Sequence, residues 1–208
     1  MQMVHHGPVS STFQLELHAS IRILRLTSPD STNRLSRACV FALLGAFAKL
    51  KHEPIHSPVV IAGNSKCFSV GADLNEIAHL TGPEAYKFSA MGRALMNTIA
   101  SHPAPVVAAI EGHCMGGGLD LALACHRRIA APNAIFGHRG AALGLVTGWG
   151  GTQRLPRLIG KNRALELFIT ADKISAARAL EIGLVDAIAQ DAVAEALRSA
   201  AAYSKFVE

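Results

Sequence analysis

The sequence predicts an α/β layered domain with at least one sheet buried on both faces. Three observations carry this. Val59–Ala62 (VVIA) and Pro105–Ile110 (PVVAAI) are short and almost wholly apolar, as strands covered on both sides are. Stretches with apolar residues at helical spacing alternate with them. A glycine triplet, Gly116-Gly117-Gly118, then joins the second strand to an apolar helix. The 208 residues suffice for one well-buried core, and half of them are hydrophobic.

Taken in order, residues 1–12 read as a loose tail without the order of a signal peptide. Phe13–His18 (FQLELH) and Ile21–Leu26 (IRILRL) alternate apolar and polar residues, and Ala19-Ser20 between them suits a hairpin turn. Ser28–Ser31 is a turn cluster, and Ser36 is placed to cap a helix reaching about Lys51. Residues 63–73 read as a loop that closes on Gly71-Ala72-Asp73. Pro83 opens a helix running to Ser101. Strands are predicted over 128–131 and 134–137, and residues 137–151, with six glycines, read as a shaped loop. Helices are predicted over 152–159, 161–170 and 175–182, a strand over 184–188, and a last helix from Gln190 to about Tyr203.

Composition excludes several classes of function. Only 17% of residues are charged, and the net charge of +5 is not gathered in blocks, so no nucleic-acid surface is implied. No apolar run reaches the length of a membrane span. The four cysteines form no C-x-x-C pair and read as buried thiols of a reducing, cytoplasmic compartment. No Cys/His spacing suggests a metal. Neither a P-loop, a dinucleotide fingerprint nor a G-x-S-x-G elbow is present.

The glycine triplet remains. Glycine lets backbone approach a ligand closely. The first N–H groups of a helix have no internal partner, and the helix dipole adds positive potential there. Such a place suits an anion, or an oxygen that becomes one during a reaction. Asp120 lies in the first turn. It either serves that chemistry or only complements the dipole.

Four stretches in fixed order make the pattern specific: SPDSTNRLS (28–36), CFSVGADLNEI (67–77), AAIEGHCMGGGLDLALA (108–124) and GWGGTQRLPRLIG (148–160). Together they resemble the enoyl-CoA hydratase/isomerase family, the crotonase superfamily, over roughly residues 13–189. The resemblance implies a crotonase-like spiral of ββα units over 13–189, followed by a shortened C-terminal helical region at 190–208. It implies an acyl-CoA thioester substrate, with coenzyme A as part of that substrate and no separate cofactor. The thioester oxygen would become an enolate held by the backbone N–H groups of Ala72 and Gly117. Gly71 and Gly116 would give access to those donors. Asp73, Leu74 and Asn75 would line the pantetheine path, and Asn33, Arg34 and Leu35 would contact the CoA. Family members usually form homotrimers, often paired into hexamers.

Two departures from the family pattern bear on the chemistry. Hydratases of the family carry two glutamates. Asp120 stands for the first, shorter by one methylene, about 1.5 Å of reach. Gly140 stands for the second and has no side chain. Gly148 stands where other members place an aspartate. Four readings follow: a hydratase or isomerase on Asp120, with His138 as a candidate second acid/base; a decarboxylase- or hydrolase-like member; a bicarbonate-assisted member in which Arg139 and Trp149 shape an anion pocket; and a non-catalytic acyl-CoA-binding protein. Phe68, Ile77, Leu80, Met91, Leu95, Leu143 and Trp149 are candidates for an acyl pocket or for plain core.

Overall fold

The computed structural model describes residues 5–6, 12–53 and 56–204. In chain order the elements are β1 (His5–His6), β2 (Phe13–His18), β3 (Ile21–Leu26), β4 (Arg34–Leu35), α1 (Arg37–Lys51), β5 (Val59–Ala62), β6 (Cys67–Ser69), β7 (Gly71–Ala72), α2 (Leu74–Ile77) and α3 (Gly82–Ala100). There follow β8 (Val106–Ile110), β9 (His113–Met115), α4 (Gly117–Ala124), β10 (Arg127–Ala130), β11 (Ile135–Gly137), α5 (Gly151–Ile159), α6 (Lys161–Thr170), β12 (Ile174–Ser175), α7 (Ala176–Glu181), β13 (Ala187–Ile188) and α8 (Ala192–Ser204).

The larger sheet has the order β1-β2-β3-β5-β8-β10-β13, and the smaller one β12-β11-β9-β6. The chain repeats one move three times. It lays a strand in the large sheet (β5, β8, β10), then one in the small sheet (β6, β9, β11), and then proceeds to helix. All neighbours among these six strands pair parallel. This is a spiral of ββα units, as the resemblance implied.

The apolar runs are explained by burial on two sides. Strand residues alternate faces. Val59 and Ile61 join the main core with Val106, Ala108 and Ile110. Val60, Ala62, Val107 and Ala109 face the other way, against Ala192, Ala196 and Ala200 of α8. Alanines one turn apart let this helix lie close to the sheet. The Arg128 guanidinium ties β13 beside β10. It is buried, donates to the carbonyls of Leu184 and Cys125, and meets Asp186 at 3.1 Å.

Several elements depart from the sequence reading. Cys67–Ser69 and Gly71–Ala72, expected within a loop, are short strands, and His113–Met115 is the centre of the small sheet. Their pairing with distant segments creates them, not local periodicity. Leu184 and Val185, expected in a strand, instead donate their N–H groups to Ala179 O and close α7, turned by Gly183 at φ 79°. Only Ala187–Ile188 pairs with the sheet. In the stretch expected to be a loose tail, His5 and His6 pair antiparallel with Leu17 and Glu16. Residues 1–4 and 7–11 lie outside the described residues. Among the described residues, no helix is long and apolar enough to cross a membrane.

Candidate active site

The site is built where β7 touches the first residue of α4. Gly71 has φ 91°, and a side chain there would put its first carbon 2.6 Å from the Gly117 nitrogen and 2.7 Å from the Met115 carbonyl oxygen. Only glycine permits that approach. As a result the Ala72 nitrogen lies 3.2 Å from the point a Gly117 Cβ would occupy. The two backbone amides therefore sit side by side, and Gly117, as the first helical residue, has no intrahelical partner for its N–H. The third glycine serves packing: a Cβ on Gly118 would lie 2.4 Å from the Ser69 carbonyl oxygen.

Trp149 closes one side. Its ring occupies the space that side chains on Gly92 and Gly117 would take, and Phe88 packs on it with ring centres 5.3 Å apart. The cavity is open to solvent on one side and measures about 450 Å³, within the range of small-ligand sites. Its wall includes Val70, Ile77, Leu80, Phe88, Met115, Leu143, Trp149 and Phe168. Of the expected acyl-pocket residues, Phe68 and Leu95 are fully buried core and Met91 packs against the core; none of the three reaches the cavity.

Asp120 lies one turn into α4, 1% exposed, and lines the cavity. Its Oδ2 accepts a hydrogen bond from the Thr147 hydroxyl. Its Oδ1 has no hydrogen-bond partner and faces His138 Nε2 at 3.4 Å. His138 is delivered there by the sheet. Gly116 N–H donates to the Gly137 carbonyl at 2.9 Å, so the residue after β11 arrives beside the start of α4. The residues at i and i+2, Phe136 and His138, are both buried. Gly151, first in α5, has no side chain to intrude: a Cβ there would lie 2.1 Å from Asp120 Oδ1 and 3.0 Å from His138 Nε2.

Burial sets the protonation of this pair. It pushes the Asp120 carboxyl up to about 7, against the Thr147 hydrogen bond, the Arg154 charge and the Gly151 amide, which all favour the ionised form. Burial also drives the His138 imidazole down to about 4. The 3.4 Å separation would allow an ion pair, but burial penalises charge on both groups. A protonated carboxyl beside a neutral imidazole is the favoured state just below neutrality.

The remaining sequence candidates are placed as follows. Leu74, Gly116 and Gly140 line the cavity. A Cβ on Gly140 would lie 2.6 Å from the Leu145 carbonyl oxygen, so this turn is closed to side chains. Asn33 does not line the cavity. It is buried at φ 52°, and its amide donates to the carbonyls of Cys67 and Phe68, tying down the loop that carries Gly71-Ala72. Arg34 pairs with Asp30 on the surface and Leu35 is core. Asp73 caps α2 by accepting from the Asn75 N–H, and Asn75 itself is exposed.

Residues 16–204 match the profile of the enoyl-CoA hydratase/isomerase family. The chain belongs to the enoyl-CoA hydratase/isomerase family. It is similar to the crotonyl-CoA hydratase of Syntrophomonas wolfei, 38% identical over 177 residues that cover 85% of this chain and 68% of that protein. It is also similar to a probable enoyl-CoA hydratase of Bacillus subtilis, 37% identical over 199 residues covering 95% and 77%. The crystal structure of enoyl-CoA hydratase from Bacillus anthracis matches with a TM-score of 0.87 at 35% identity, covering 93% of this chain and 76% of that one. DspI of Pseudomonas aeruginosa matches with a TM-score of 0.90 at 30% identity, covering 95% and 76%. The fold is thus the crotonase type.

Proposed function

We propose that the chain acts on an enoyl-CoA thioester, adding water to the double bond or shifting it, with Asp120 as acid/base. The carrying observation is that the buried Asp120 carboxyl lines the same cavity as the adjacent Ala72 and Gly117 amides. The thioester oxygen sits on the two amides and gains charge only as the enolate forms, which is where fixed dipoles accelerate a reaction. Each such donor contributes about 3 kcal/mol of barrier lowering. Coenzyme A enters as part of the substrate, passing Leu74 at the cavity mouth, and no separate cofactor takes part. The turn at Gly140 is filled by the Leu145 carbonyl, which argues against a bicarbonate seated in the space of an absent side chain.

The test is turnover of crotonyl-CoA, followed by loss of the conjugated enoyl-thioester absorbance, with and without bicarbonate. The wild type should turn over in bicarbonate-free buffer, and Asp120→Asn should abolish turnover while leaving CoA binding nearly unchanged. Dependence on bicarbonate would transfer the base to an external anion. Binding without turnover would make the protein an acyl-CoA binder.

A further inference from the structure

We propose that Trp149 sets the substrate range of this site: its indole is the inner end wall of the acyl pocket and limits the enoyl group to a short hydrocarbon chain, and Gly92 behind it marks the room a longer chain would need. The proposal rests on the enoyl-CoA reading above.

The ring stands between the two backbone amides and α3. Its Cζ3 lies 2.6 Å from the point a Gly117 Cβ would occupy, and the Ala72 nitrogen lies 3.2 Å from the same point. A thioester oxygen resting on those amides therefore has the indole beside it. The Nε1 side of the ring lies against Gly92, where a Cβ would overlap it. One flat side chain thus fills the gap from α4 to α3. Trp149 lines the cavity yet is only 4% exposed, so the cavity ends on it. Pantetheine takes the open side, past Leu74, and the acyl group is left to run inward. There it meets hydrocarbon, from Ile77, Leu80, Phe88 and the indole. The Ser89 hydroxyl is also in this wall, but it already donates to the Gly148 carbonyl and accepts from Arg93.

The wall is fixed and not hinged. Phe88 packs on the ring with centres 5.3 Å apart. The Ser89 hydroxyl holds the Gly148 carbonyl at 2.9 Å. The Arg154 guanidinium donates to the Trp149 carbonyl at 3.2 Å and to Asn97 Oδ1 at 2.7 Å. Ser89 and Asn97 belong to α3, so the segment carrying the indole is tied to the helix on which the indole packs. A chain too long for the pocket cannot swing the ring aside without breaking these contacts. In an apolar pocket one methylene too many costs roughly 10–200-fold in specificity.

Gly92 makes the limit adjustable. It is buried inside α3, where glycine weakens a helix. The three atoms nearest its absent Cβ all belong to the Trp149 ring. With the indole removed, the cavity would extend to the α3 backbone, and a side chain placed on Gly92 would point into the vacated volume.

The test is kcat/KM for crotonyl-, 2-hexenoyl-, 2-octenoyl- and 2-decenoyl-CoA, with folding followed by circular dichroism. The proteins are wild type, Trp149→Ala, Trp149→Leu and Trp149→Ala/Gly92→Leu. In wild type, 2-decenoyl-CoA should be at least about tenfold poorer than crotonyl-CoA. Trp149→Ala should raise the decenoyl-to-crotonyl ratio by at least about tenfold, and Trp149→Leu should raise it by less. Adding Gly92→Leu to Trp149→Ala should return the ratio to within about threefold of wild type. A ring that only filled core would leave the ratio unmoved. Trp149 is also the chain's one tryptophan, so binding of unreactive butyryl-CoA should shift its emission. A wild-type ratio within about threefold of unity would overturn the proposal, and this readout needs no variant to fold. So would butyryl-CoA binding that calorimetry detects and Trp149 emission does not. Absence of turnover at every chain length would instead overturn the reaction on which the proposal rests. The wall itself would still be tested by binding: butyryl-CoA at least about tenfold tighter than decanoyl-CoA would uphold it, and equal affinities would overturn it.

Discussion

Gly151→Ala separates the chemistry from the fold. Gly151 opens α5 with an unstrained backbone, and alanine is the better helix former by up to about 1 kcal/mol. The added methyl, however, would lie 2.1 Å from Asp120 Oδ1, whereas ordinary contacts begin at 3.4 Å. The carboxyl oxygen, the end of a short side chain also held by Thr147, must retreat by more than 1 Å or α5 must shift. Overpacking of this kind costs about 1–3 kcal/mol. Helix propensity offsets part of it, so the net loss of stability should be about 1–2 kcal/mol, a fall in Tm of a few degrees. Displacing a reacting group by about 1 Å costs about a hundredfold in rate. Crotonyl-CoA turnover and a thermal melt on the same sample give both numbers. Gly82→Ala is the matched control, because Gly82 also opens a helix and a Cβ there meets nothing within 4 Å. It should leave kcat and Tm near wild type. A Gly151→Ala enzyme with kcat within about threefold of wild type would refute the argument, because the chemistry would not depend on where that oxygen sits.

Two further perturbations test the frame around the site. Gly71→Ala forces a side chain onto φ 91° and into the Gly117 nitrogen and the Met115 carbonyl; we expect a loss of about 3 kcal/mol by urea denaturation together with loss of turnover, and an unchanged midpoint would contradict the close approach of β7 to α4. Arg128→Met strips the donors from the carbonyls of Leu184 and Cys125 and leaves Asp186 without its buried partner. Because Asp186 keeps 30% of its side-chain exposure, the cost should fall at the low end for a broken buried pair, about 3 kcal/mol, with kcat per folded molecule unchanged.

Two-sided burial made the large sheet legible. A strand covered on both faces must be apolar throughout, and Val59–Ala62 and Val106–Ile110 are. The hairpin of β2 and β3 was legible for the opposite reason, since its one exposed side imposes alternation. The small sheet was not. His113–Met115 is three residues long and is a strand only because β6 and β11 flank it; three residues carry no period. The glycine triplet and Asp120 marked the site, but the residues around them were only partly readable. Asn33 resembled a CoA contact by position, yet its amide is consumed by two buried carbonyls. A resemblance transfers a position and not its surroundings. His138 did leave a signal: it stands two residues after Phe136, whose apolar ring had to face the core, and alternation would have turned both inward.

The pair of Asp120 and His138 also predicts an unusual dependence of stability on pH. Asp120 is raised from 3.8 to about 7 in the folded protein. Between those values the native state holds a proton that the unfolded chain has released, so this group makes stability fall as pH rises. His138 is lowered from 6.5 to about 4. Over that window the unfolded chain holds a proton that the native state has shed, so this group makes stability rise with pH. The windows overlap from about 4 to 6.5, and there each group alone changes stability by an amount on the order of 3 kcal/mol. In the wild type the native and unfolded pair carry the same number of protons, one on Asp120 or one on His138, and the two slopes cancel. Single variants uncover them. Measured against the double variant Asp120→Asn/His138→Gln, urea stability of Asp120→Asn should climb from pH 4.5 to 6.5, and that of His138→Gln should decline. Slopes of the same sign in both would show that burial is not what sets the two groups apart. Opposite slopes would mean that the fold tolerates two costly buried groups whose penalties cancel in proton count but not in energy, a burden that packing alone gives no reason to keep.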